Sequence, residues 1–188
     1  ARGRRKRRRS GLLADRRAHK AMHGNISAAV WNAQQLAASG AAKDGKKWAA
    51  VRERLEEVRP AVMVLLEVDG TFADFRLRRR EFRKMHYECV FLAGQDAGEA
   101  NGKSTANGVL ALVAKEQAVF KSFERVAGRV LGFEVVHKAD GVRRAYVGMH
   151  GEHGAGFGAQ VRGADRYMRD KGGGLMLTDA NHVPCLSL

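Results

Sequence analysis

Four apolar runs in this chain of 188 residues each end on a polar residue suited to a phosphate or a metal ion. Val30-Trp31 leads into Asn32-Ala33-Gln34, and Val62-Met63-Val64-Leu65-Leu66 ends on Glu67. Tyr146-Val147-Gly148-Met149 ends on His150, and Leu175-Met176-Leu177-Thr178 leads into Asp179-Ala180-Asn181. Short continuous apolar runs fit strands buried on both faces. A carboxylate has no use at the end of such a strand unless something pairs with it, because an unpaired charge is costly to desolvate. Open α/β sheets bind ligands outside the carboxyl ends of their strands. The pattern therefore points to an α/β fold whose strand tips converge on one site.

The rest of the chain fills in that frame. Ile26–Trp31 reads as the first strand. Trp48, Val51, Leu55 and Val58 recur at helical spacing until Pro60 stops them, and Ala61–Leu66 is the second strand. Phe75–Met85 carries Arg76, Arg78, Arg79, Arg80, Arg83 and Lys84, the pattern of a solvated helix. Tyr87–Leu92 and Val109–Val113 are further strands, separated by a polar loop over 94–106. Leu131, Phe133 and Val135 alternate, and Ala139-Asp140-Gly141 turns the chain into Arg143–Met149 as a hairpin. Four glycines between Gly151 and Gly158 predict an irregular loop. Val161–Lys171 is a helix closed by Gly172-Gly173-Gly174, and a last strand follows. A hairpin among interleaved helices makes the sheet mixed.

The net charge of +14 is uneven. Residues 1–20 hold ten Lys and Arg against Asp15 alone, whereas the other 168 residues carry a net +5. The run Arg2–Arg9 repels itself and has no apolar period. Residues 1–24 are accordingly expected to be a disordered basic tail, either a nucleic-acid arm or nuclear address or a solvated linker from a larger polypeptide, ahead of one domain over 25–188. No apolar run reaches the eighteen or more residues of a membrane span, and no secretory signal precedes the domain. Cys89 and Cys185 are the only cysteines, without zinc spacing. These features predict an intracellular protein, nuclear if the tail is an address, with no membrane partner. His150-Gly151-Glu152-His153 lacks the i, i+4 helical spacing of a catalytic zinc site.

The order Asn, Glu, His, Asp-x-Asn resembles the endonuclease/exonuclease/phosphatase superfamily of metal-dependent phosphodiesterases. The resemblance runs from about Ile26 to Pro184. It implies two packed mixed β-sheets flanked by helices, a four-layer α/β sandwich, with the second sheet incomplete here. It implies catalytic roles for Asn32, His150, Asp179 and Asn181. Metal ligation falls to Glu67 and Asn32, and phosphate contacts to Arg129 and Gln34. The implied ion is Mg²⁺, with Mn²⁺ as the alternative. Thr178 and Ala180 stand where the family's last motif has Gly and an aromatic residue.

The family pattern closes on an Asp-His motif, and His182–Leu188 contains none. Loss of a general base costs about 10²–10⁴ in rate. The sequence therefore predicts nucleic-acid phosphodiester hydrolysis by an endonuclease, on DNA rather than RNA, impaired in this chain. The competing reading is a catalytically inactive basic relative that only binds nucleic acid. Endonuclease domains of non-LTR retrotransposons resemble the same arrangement.

Overall fold

A computed structural model of the chain describes residues 27–37, 45–70, 72–92, 105–151 and 155–179. The basic tail, the loop over 94–104, the Glu152–Gly154 segment and everything from Ala180 onward lie outside the described residues. The elements are β1 (Ala28–Ala37), α1 (Gly45–Val58), β2 (Val62–Gly70), α2 (Phe72–Lys84), β3 (Tyr87–Leu92) and β4 (Thr105–Ala114). They continue with β5 (Ala118–Ala127), β6 (Val130–His137), β7 (Arg143–His150), α3 (Ala155–Asp170) and β8 (Gly174–Asp179).

The strands form two four-stranded sheets, ordered β1-β2-β4-β3 and β5-β6-β7-β8. Both are mixed, with β1 parallel to β2 and β7 parallel to β8, and every other pair antiparallel. The two parallel pairs need crossover helices, and α1 and α3 supply them. Three apolar layers hold the stack together. Trp48, Val51, Leu55, Phe75 and Phe82 seal α1 and α2 onto Met63, Leu65, Leu110 and Leu112 of the first sheet. Val62, Val64, Leu66, Val109 and Ala111 meet Leu131, Phe133, Val135 and Tyr146 between the sheets. Ala164 and Tyr167 of α3 close the outside of the second sheet over Val130, Val147 and Met149. The result is a four-layer α/β sandwich, as expected. Both faces of β2 are buried, which explains its unbroken apolar run.

Two local expectations need correction. The glycine-rich stretch is not irregular throughout, because α3 begins at Ala155 and takes in Gly156 and Gly158. Its apolar face on the second sheet outweighs the propensity cost of glycine in a helix, about 1 kcal/mol each. A strand over Ala118–Ala127 was not legible in the sequence. As an edge strand pairing only with β6, it keeps Lys121, Glu124 and Arg125 in water and leaves Phe123 exposed, so it lacks an apolar run. The other edge strands among the described residues are β3, β1 and β8, and the last two, one per sheet, lie against each other across the sandwich.

Glu134 is the one buried carboxylate in the second sheet among the described residues. It accepts hydrogen bonds from Ser122 Oγ at 2.8 Å and Arg143 Nη2 at 3.0 Å, and pairs with Lys171 Nζ at 3.2 Å. Burial pushes this carboxyl up, but the Ser122 and Lys171 hydrogen bonds, with the charges of Lys171 and Arg143, hold it below the usual carboxylate range. A depressed folded-state value contributes stability above the unfolded value, about 4.3, and loses it as pH falls through the folded value. Glu134→Gln is therefore expected to cost about 1–3 kcal/mol at neutral pH. That cost should shrink below about pH 4, measured by urea unfolding from pH 7 to pH 3. A difference that stays constant across that range would contradict the assignment.

Candidate active site

Backbone irregularity, more than strand ends, presents the polar residues. In β2 the even-numbered Val62, Val64 and Leu66 face the second sheet, yet Val68 packs on the helix side. The switch is a bulge: the register with β4 shifts between Leu66 and Val68, and Glu67 sits in left-handed backbone at φ 56°. A non-glycine residue there costs about 1–2 kcal/mol, a strain that the surrounding ladder must hold. Gly108 faces the bulge from β4, and a Cβ added to it would come within 2.7 Å of the Val68 carbonyl oxygen. No side chain fits there, so glycine at 108 reads as a requirement of the close approach to the Glu67 bulge. In β1 the register with β2 shifts after Asn32.

Asn32 shares the inter-sheet side with Ala28, and its Nδ2 donates to Glu67 Oε1 at 2.8 Å. The same nitrogen donates to Asp179 Oδ2 at 2.7 Å. One amide thus joins a carboxylate of the first sheet to one of the second. His150, the last residue of β7, pairs in register with Asp179, the last of β8. Its Nδ1 lies 3.8 Å from Glu67 Oε1, and the ring is buried. Residues 35 and 147 positions away from Asn32 in sequence converge on one point. Both residues that carry these carboxylates are half-buried.

The other expected residues fall into three groups. Arg129, half-buried in the β5–β6 turn, precedes Val130, whose register partner is Met149, so it lies beside His150. Gln34 belongs to β1, but its side chain lies outside the described residues, and so does Asn181 altogether. Asn32 and Glu67 stand within strands that run on to Ala37 and Gly70, and not at strand ends. Gln160 of α3 escaped the sequence reading. It is buried, and its Nε2 donates to the His150 carbonyl oxygen at 3.4 Å, fixing the end of β7. Its signal was a glutamine on the apolar face of an amphipathic helix.

No group of three or more His, Cys, Asp and Glu side chains forms a metal cage among the described residues. Two carboxylates and an amide suit a hard cation that keeps several waters and takes one or two carboxylates. No helix among the described residues is long and apolar enough to cross a membrane.

No family model and no curated protein sequence matches the chain. Solved structures do match. The human Nocturnin catalytic domain, with a bound sulfate anion, is similar at 13% identity and TM-score 0.62, covering 83% of this chain and 64% of that one. TDP2 from D. rerio, complexed with single strand DNA product, is 17% identical at TM-score 0.58, covering 84% and 61%. An endonuclease/exonuclease/phosphatase family protein from Bacteroides thetaiotaomicron is 13% identical at TM-score 0.56, covering 84% and 65%. The chain has the fold of the endonuclease/exonuclease/phosphatase superfamily and spans less than two thirds of each of these three structures.

Proposed function

We propose that the chain is a Mg²⁺-dependent phosphodiesterase, an endonuclease acting on DNA before RNA. The observation that carries this reading is the single amide of Asn32 holding Glu67 and Asp179 together, with the His150 imidazole beside them. Glu67 with Asn32 would hold the ion, Mn²⁺ being the alternative to Mg²⁺, and the all-oxygen donor chemistry fits either. A bound divalent ion supplies Lewis-acid polarisation of the phosphate oxygens and neutralises developing charge.

The protein's own groups divide the remaining work. Asp179, with Asn181 two residues on, would orient the attacking water and take up its proton. His150, held at its carbonyl by Gln160, would donate a hydrogen bond to a non-bridging oxygen as charge builds there. Arg129 and Gln34 would bind the phosphate. Fixed donors aimed at developing charge need no reorganisation at the moment of reaction, so the rigid strand ends are an asset. The basic balance of the chain favours a polyanionic substrate. Support for DNA comes from TDP2 of D. rerio, whose structure holds a single strand DNA product.

The test is nicking of circular DNA and cleavage of end-labelled single strands by the purified chain with Mg²⁺, Mn²⁺ or a chelator. Slow, metal-dependent nicking that disappears with the chelator and in Asp179→Asn is expected. Tight DNA binding with no cleavage under any metal would replace this reading with the binding-only one. Cleavage indifferent to the chelator would remove the metal from it.

A further inference from the structure

The solvent face of α2 carries a row of cations that the candidate active site does not use. Arg76, Arg80 and Lys84 recur at i, i+4 and i+8, so they share one face. All three are exposed, and none has a hydrogen-bond or ion-pair partner among the described residues. The other basic residues of the helix are engaged. Arg78 pairs with Glu81 at 2.8 Å and lies 4.7 Å over the Trp48 ring, while Arg79 and Arg83 share Glu88 of β3. Like charges four apart destabilise a helix by a few tenths of a kcal/mol per pair. Acidic neighbours quench the flanks of this helix and leave the central row bare. Leu77, 61% exposed, stands next to the row.

We propose that this face of α2 is a docking track for the phosphate backbone of a nucleic-acid strand, outside the catalytic cleft. The inference deepens the phosphodiesterase reading by naming where a long substrate rests. At about 1.5 Å of rise per residue the row spans about 12 Å. That length covers three or four phosphates of a duplex strand, at about 3.4 Å of axis each. Phosphate contacts of this kind position a strand without reading its sequence. The helix starts five residues after Glu67 and packs on β3, so the track begins on the flank of the sheet that carries the bulge.

The test compares the full chain with a triple variant, Arg76→Gln, Arg80→Gln and Lys84→Gln, which keeps good helix formers in place. A charge-matched control carries Lys121→Gln, Lys138→Gln and Arg162→Gln at exposed positions elsewhere. Anisotropy of a labelled single-stranded oligonucleotide is read across a salt series in chelator, so cleavage plays no part. The α2 variant should lose about 2 from the slope of log K against log salt, at about 0.7 per contact. The control should lose much less, and circular dichroism should be unchanged in both. An unchanged slope in the α2 variant, an equal loss in the control, or tighter binding to anionic vesicles than to the oligonucleotide would overturn the proposal. Hydrolysis of bis(p-nitrophenyl) phosphate with Mg²⁺ keeps the two readings apart. A slope loss without any hydrolysis supports the track while sinking the enzyme, and normal hydrolysis with an unchanged slope sinks the track alone.

Discussion

Glu67→Gln is expected to lower Mg²⁺-dependent turnover about a thousandfold with little effect on folding. The substitution keeps the size of the side chain and a carbonyl oxygen for the Asn32 amide, 2.8 Å away, but removes the formal charge. A metal at a transferring phosphate supplies several kcal/mol of charge stabilisation, and about 4 kcal/mol is a factor of about a thousand in rate. Calorimetric titration with Mg²⁺ in the absence of substrate gives a second readout, since a lost carboxylate weakens binding whether or not the chain turns over. Glu67→Gly separates strain from charge. It removes the carboxylate together with the left-handed penalty at φ 56°, so the variant should be at least as stable as the parent and no more active than Glu67→Gln. Parental Mg²⁺ affinity and turnover in Glu67→Gln would end the metal assignment.

Phe133→Ala should remove about 3–5 kcal/mol of stability, a large share of the 5–15 kcal/mol typical of a domain. Phe133 is fully buried between the sheets, stacked on Tyr146 with ring centroids 5.5 Å apart, and surrounded by the branched side chains of both sheets. Nothing near it is flexible enough to fill the space, so a cavity term adds to the lost transfer energy. Tyr146 is anchored in turn by His137, whose Nε2 lies 2.6 Å from the phenol oxygen. Burial lowers the His137 value below the usual histidine range, with the Arg144 charge adding to the effect. The unfolded chain then binds the extra proton, so this pair loses stability as pH falls below about 6.5. Urea unfolding of Phe133→Ala should move the midpoint without changing the slope. A cost under about 1 kcal/mol would mean that the sheets do not close around this ring.

The strand stretch buried on both faces was legible because its solution is local: every side chain from Val62 to Leu66 of β2 must be apolar when both faces are covered, so the run shows itself. Tyr87–Leu92, an edge strand, shows its bounds because all its side chains except Glu88 are buried. The edge strand β5 was not legible, since half its positions face water and it owes its conformation to its ladder with β6. The start of α3 was missed because glycine propensity is weaker than the burial of the helix face it belongs to.

For the candidate site, the sequence by itself determined which groups are available. Asn32, Glu67, His150 and Asp179 stand out because each interrupts an apolar run, where an unpartnered polar group would be costly. The tertiary structure alone decided that they meet. Strand periodicity fixes the side to which a residue points only while the ladder stays regular, and one extra residue reverses that side. The bulge at Glu67 depends on the close approach of Gly108 from another strand, a contact no local pattern encodes. Likewise Asn32 reaches Asp179 only because the two sheets pack face to face and bring β1 against β8. Apolar burial between the sheets sets that distance, and the polar residues take the positions it gives them.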